Sequence, residues 1–137
     1  MNATTMITQT DRGRLRDILR ELKLSRRMKR DELAAIARQL RAARVVLSEE
    51  VPCNIVTMNS QVVLRDLDTH ERLVCTLAYP DAIRMFSDKL SITSPAGLAL
   101  LGRCVGQIVR WKLGPRLRRY RIEKVSYQPE AAGDFDL

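Results

Sequence analysis

Aromatic side chains are scarce in this chain: two Phe, three Tyr and one Trp, with none before Tyr79. That scarcity excludes an aromatic platform for stacking bases in the first half and makes an aromatic-lined proline pocket hard to build anywhere. Histidine is limited to His70, and Cys53, Cys75 and Cys104 are odd in number, widely spaced and without a C-x-x-C pair. A zinc site or disulfide framework is therefore not expected; reduced, partly buried thiols are. No apolar run reaches spanning length and no basic-then-apolar leader opens the sequence, so the expectation is a cytoplasmic protein without membrane association.

Acidic residues are the next shortage, and a local one. Residues 11–46 hold 12 Lys and Arg against 5 Asp and Glu, a net of +7, whereas residues 47–137 hold 12 against 11, a net of +1. The formal charge of +8 is thus concentrated in the first third. Two readings stand: a surface that meets an anionic partner, or a solvated Arg-rich helix face. A hydrophobic content of 45% suffices for one core in a chain of 137 residues.

Residues 1–9 are small, polar and aperiodic and are expected to fray. From Thr10 or Asp11, a plausible cap, Leu15, Ile18, Leu19 and Leu22 recur at helical spacing; a second stripe, Leu33, Ile36, Leu40, Ala43 and Leu47, begins near Asp31. Each helix alone would be marginal in water, so the spacing predicts an antiparallel helical hairpin, a short coiled coil, over residues 1–50. Its tip, Lys23-Leu24-Ser25-Arg26-Arg27-Met28-Lys29-Arg30, carries five positive charges and no acid. It reads either as a cationic probe or as a soluble turn.

Pro52 marks the boundary to a second unit, residues 51–137, where the period changes to two. Val62 to Leu67 and Leu73 to Tyr79 form a hairpin about Asp68-Thr69-His70-Glu71; an irregular crossing segment follows over residues 81–88, then a brief strand over 89–92. Ser94 is a good N-cap, Pro95 suits the first helical position and Gly102 can end the helix left-handed, so a short, sharply bounded helix is predicted between Ser94 and Gly102. Val109, Trp111 and Leu113 share a face of the next strand. In residues 118–127 the apolar phase shifts from Tyr120 and Ile122 to Val125 and Tyr127, which predicts a bulge. The fold class expected is α+β: a helical hairpin followed by an antiparallel sheet domain with one short helix.

Catalytic constellations are missing. His70 falls in a turn with nothing to orient it; Glu49/Glu50 and Asp31/Glu32 read as helix-terminus charges; Gly97, Gly102 and Gly106 lack the lysine of a phosphate loop; Ser60, Ser87 and Ser94 lack a nucleophile motif. No enzyme activity, cofactor or metal is expected, and a binding or regulatory protein is.

A helical hairpin followed by a sheet unit with Ser94-Pro95, Ala99-Leu100-Leu101-Gly102 and Val105-Gly106 resembles the Gre transcript-cleavage and elongation factors. Val56-Thr57-Met58-Asn59-Ser60, Tyr79-Pro80 and Tyr127-Gln128-Pro129-Glu130-Ala131-Ala132-Gly133-Asp134 extend the likeness, toward a short relative within that group, over residues 51–137. Across residues 1–50 only the hairpin pattern matches. The resemblance implies an FKBP-like sheet domain that docks on bacterial RNA polymerase at the rim of the secondary channel, with Ser94 and Pro95 in the docking surface and the hairpin directed toward the channel. Gre factors place acidic residues at the tip to hold a catalytic metal in the polymerase. Here Arg26, Arg27, Lys29 and Arg30 occupy it, with Asp31 and Glu32 only adjacent. A second helix of about 17 residues would span only ~25 Å. The expectation is a non-enzymatic regulator that competes with Gre factors rather than stimulating cleavage; the alternative is weak direct contact with nucleic acid through the basic hairpin. A prolyl isomerase ranks last, for want of aromatics.

Overall fold

A computed structural model of the chain describes residues 5–26, 28–80 and 88–135. Thr8 is the true start of the first helix. Extended at φ −74°, ψ 151°, its hydroxyl accepts the Asp11 N–H at 3.1 Å, and α1 runs Gln9–Ser25 until Arg26 turns left-handed at φ 57°. The cap thus lies earlier than Thr10 or Asp11, because Thr8 belongs to a strand and its side chain is held in place for the task. That strand, β1 (Met6–Thr8), pairs in parallel with β2 (Arg44–Val46), Met6 opposite Arg44 and Thr8 opposite Val46. The part of the amino terminus expected to fray is therefore ordered over these residues, with Ile7 and Thr8 buried.

The second helix, α2, spans Arg30–Ala42, with Asp31 and Glu32 in its first turn, where carboxylates favour the positive end of the helix dipole. It stops short of Leu47. Val45 and Val46 are β-branched, and pairing with β1 draws them into extended backbone, leaving Leu47 exposed. The two helices pack as predicted where they meet the rest of the protein: Leu15, Ile36 and Leu40 are buried, while Ile18, Leu22 and Leu33, toward the tip, are half-buried. Leu24 is 80% exposed.

After a 3-10 turn at Ser48–Glu50 comes a five-stranded sheet: β3 (Gln61–Asp66), β4 (Arg72–Ala78), β5 (Lys89–Ser91), β6 (Ile108–Leu113) and β7 (Arg116–Tyr127), in the order β5-β4-β3-β7-β6. The pairs β3 with β4, β3 with β7 and β6 with β7 are antiparallel. The expectation of a wholly antiparallel sheet fails at β5, which runs parallel to β4 with Leu77 opposite Leu90. A parallel neighbour needs a crossover rather than a tight turn, and the chain between Ala78 and Lys89 is long enough to supply one. The crossing segment itself, residues 81–87, lies outside the described residues, as does Arg27.

His70 stands exposed in the β3–β4 turn at φ 66°. The register of β3 on β7 slips at Gln61/Val62 and again at Val63/Leu64, the bulging anticipated from the shifted phase. Trp111 stacks on Tyr120 with centroids 4.6 Å apart, beside buried Val109; of the third residue on that face, Leu113, only the backbone is described.

The helix predicted after Ser94 is present as α3 (Pro95–Leu100), and a single turn, α4 (Pro129–Ala132), follows β7. One continuous apolar cluster joins Ile7, Leu15, Ile36 and Leu40 to Met58, Leu64, Leu77, Leu100 and Ile122. At ~1.5–3 kcal/mol for each large side chain buried, this shared core seats the base of the helical pair on the sheet.

Candidate functional site

The corner before α3 is built by hydroxyls. Ser94 Oγ accepts the Gly97 N–H at 3.1 Å and donates to the Ser91 carbonyl at 2.7 Å, while Ser91 Oγ accepts the Thr93 N–H at 3.1 Å. Both roles of its hydroxyl are thus taken up in capping the helix. Gly97 permits the close approach: a β-carbon there would lie 2.0 Å from the Ser91 carbonyl oxygen. On this stiffened turn Pro95 faces solvent, whereas Ala96, Gly97 and Leu100 are buried. The corner therefore offers a fixed apolar ring to a surface.

At its other end α3 is held by three separate elements. Gln39 of α2 donates to the carbonyls of Leu98 at 2.7 Å and Leu101 at 3.3 Å. Gly102, at φ +80°, donates to Val56 and accepts from Met6, and a β-carbon there would come within 2.8 Å of the Met6 carbonyl oxygen. Gln39 was not singled out by the sequence; a glutamine on a helix face beside buried Ile36 and Leu40 is the only hint it carries.

A second polar junction ties α1 to the sheet. Asp11, 4% exposed, accepts the Met58 N–H at 3.1 Å through Oδ2, and Tyr79 Oη donates to Oδ1 across a long 3.4 Å. Burial pushes the Asp11 carboxyl up to about 6, helped by the charge of Glu130 and opposed by the Met58 N–H, the Tyr79 hydroxyl and Arg14. Thr57 Oγ1 donates to Glu130 Oε1 at 2.6 Å and lies 2.8 Å from Ser60 Oγ; Gln128 Nε2 donates to the carbonyls of Pro52 and Ile55, both at 2.8 Å. The two segments Val56-Thr57-Met58-Asn59-Ser60 and Tyr127 to Asp134, far apart in sequence, thus hold one another. Burial, with the charge of Asp88, drives the Cys75 thiol up to about 12, leaving it protonated and inert at neutral pH.

The hairpin tip lies at the far end. Arg26, Lys29, Arg30, Asp31 and Glu32 are all exposed, and none forms an ion pair with another described residue. The structure thus separates the two sets of candidates: Ser94 and Pro95 sit at the base, on α3, and the charged residues at the end of the helices. Among the described residues no group of three or more His, Cys, Asp or Glu could hold a metal ion, and no helix is long and apolar enough to cross a membrane.

Comparison with known proteins adds to this geometry. The family described as transcription elongation factor, GreA/GreB, C-term, matches residues 51–127. A relative named regulator of nucleoside diphosphate kinase, from Escherichia coli strain K12, is 40% identical over 104 residues, 75% of this chain and 76% of that one. Transcription elongation factor GreA of Thermotoga neapolitana is 39% identical over 71 residues, 52% of this chain but 46% of its own length. A solved structure, a prokaryotic transcription elongation factor GreA/GreB from Nitrosomonas europaea, superposes with a TM-score of 0.74 at 34% identity, covering 92% of this chain and 100% of the other.

Proposed function

The chain belongs to the GreA/GreB family of transcription elongation factors, and on that premise we propose that it binds bacterial RNA polymerase near the secondary channel and modulates elongation without stimulating transcript cleavage. The docking surface in this reading is the corner of Ser94 and Pro95. The observation that carries it is the mismatch between the two ends of the molecule: a family-type base with an exposed, rigid Pro95, under a short helical pair whose tip is cationic. With 13 residues, α2 is shorter than its sequence pattern suggested and spans only ~20 Å at 1.5 Å per residue. Such a probe is stunted for crossing a deep channel, and Arg26, Lys29 and Arg30 would repel a divalent cation rather than hold it. Occupying the docking site while leaving the active centre untouched makes the protein a competitor of Gre factors. The E. coli relative carries nucleoside diphosphate kinase in its name, and a transcriptional route to that enzyme fits a polymerase-binding regulator.

Core RNA polymerase retained on the immobilised protein at moderate salt, and released by Pro95→Asp, is the expected result. In a stalled-elongation assay the protein should leave the transcript intact and suppress cleavage by an added Gre factor. Cleavage by the protein itself, or no retention of polymerase, overturns the proposal. Direct nucleic-acid binding is the competing reading, favoured by the exposed cations of the tip; it requires affinity that falls steeply with salt and disappears when Arg26, Arg27, Lys29 and Arg30 are neutralised.

A further inference from the structure

Two hollows, of about 750 Å³ near the tip and about 630 Å³ near the base, lie between α1 and α2 and share Leu19 and Ala37, so they form one groove along the helical pair. Its floor is apolar, with Leu33 and Met28 continuing it toward the tip. Its walls are cationic: Arg12, Arg16 and Lys23 from α1, Arg26 at its C-cap, and Arg30 and Arg41 from α2. No carboxylate is among the described residues that line it, and none of these six cations is ion-paired with a described residue.

The segregation is written in the spacing. Arg12, Arg16, Leu19 and Lys23 follow one another at intervals of four, three and four, a single face of α1, and Arg26 stands at the cap that ends it. The acids of the same helices, Asp11, Asp17, Glu21, Asp31 and Glu32, fall off the lining altogether. A solvated helix face would mix the two signs, because i,i+4 pairs of opposite charge stabilise it; a face kept free of acids is selected for something anionic.

We infer that this groove receives an acidic amphipathic helix of a partner protein, completing a three-helix bundle. From Arg12 to Arg26 the groove is ~21 Å long, about four helical turns of an occupant. Leucine-type side chains every third or fourth residue would fill the Leu19–Ala37 floor, and glutamates on either flank would meet the arginines. The two favoured alternatives fit less well. A second copy of this chain would bring the same cationic face against itself. A nucleic acid would find no aromatic side chain on the floor to stack its bases and would set phosphates over leucine and alanine. The inference is independent of polymerase docking, which uses the corner at Pro95.

The test uses the full chain and designed probes. One labelled peptide of about four turns carries leucine at every third or fourth position and glutamate elsewhere. A second has the same composition with its leucines scattered around the helix, and the third probe is a single-stranded oligonucleotide of matched charge. Fluorescence anisotropy should show the first peptide binding at least about tenfold more tightly than the other two, and amide shift changes should be confined to α1 and α2. Arg16→Glu combined with Lys23→Glu, all at exposed sites, should weaken binding about tenfold or more. Ala34→Gln, which obstructs the floor at an exposed helical position, should weaken it too, and circular dichroism should show both variants folded. Equal binding of the scattered peptide, tighter binding of the oligonucleotide, unchanged affinity in the two variants, or no binding of any probe would each overturn the inference. Polymerase is absent from the assay, so its outcome is separable from that of the docking experiments.

Discussion

Replacing Asp11 with asparagine should change how stability depends on pH more than it changes the fold. The carboxyl sits in the first turn of α1, receives the Met58 N–H, and titrates at about 6 in the folded protein against 3.8 ordinarily, chiefly because it is buried. A carboxyl raised in this way holds its proton more readily folded than unfolded. Folding is therefore favoured below the unfolded value, and that contribution is lost as pH rises through about 6. Moving from 3.8 to about 6 corresponds to ~3 kcal/mol, of which ~2–3 kcal/mol is released between pH 4 and pH 7.5. Asparagine keeps an acceptor for the Met58 N–H and turns its amide toward Tyr79, while removing the charge that faces Glu130. Urea unfolding followed by circular dichroism, run on both proteins across that range, should show the variant gaining relative to the native chain as pH rises, by ~2–3 kcal/mol overall. Parallel curves for the two proteins would refute the reasoning, since they would mean that Asp11 is solvated or paired well enough to ionise without penalty.

Four further outcomes are expected. Gly97→Ala places a methyl 2.0 Å from the Ser91 carbonyl oxygen and should cost about 3 kcal/mol in the same unfolding assay, with α3 displaced. Gly13→Ala, in the exposed interior of α1 where a β-carbon meets nothing within 4 Å, should stabilise by ~0.5–1 kcal/mol, read as a higher urea midpoint. Ser94→Ala should lose the cap and ~1 kcal/mol, whereas Pro95→Asp, at an exposed first helical position that tolerates an acid, should leave stability nearly unchanged while weakening polymerase retention.

What could be read in advance follows from how local each determinant is. Ser94, Pro95 and Gly102 specify α3 through a side-chain cap, a missing N–H and a positive φ, all of which act within one helix, so its position was legible. The doubled register slip opposite Val62 and Leu64 was legible for a similar reason, since a bulge leaves its mark on the periodicity of β7. By contrast, β1 and β2 have three residues each and exist only by pairing with one another, so neither the ordered amino terminus nor the early end of α2 had a local signature. The direction of β5 depended on the path of a crossover. In the candidate site, the exposure of Arg26, Lys29 and Arg30 was evident from composition; the burial of Asp11 and its meeting with Met58, Tyr79 and Glu130 was not. Thr8 and Asp11 do have the spacing of a capping pair, and that was the available clue.

The two bonds from Gln39 to the last turn of α3 set the bearing of the molecule. Because α3 carries Pro95 at its first turn and meets α2 at its last, any surface that seats the corner also dictates where Arg26 and Arg30 point, through a rod of only six residues. The aim of the tip is therefore a property of Gln39 as much as of the helices themselves, and a chain with the same corner and the same tip but a looser joint there would land on the same site and point elsewhere.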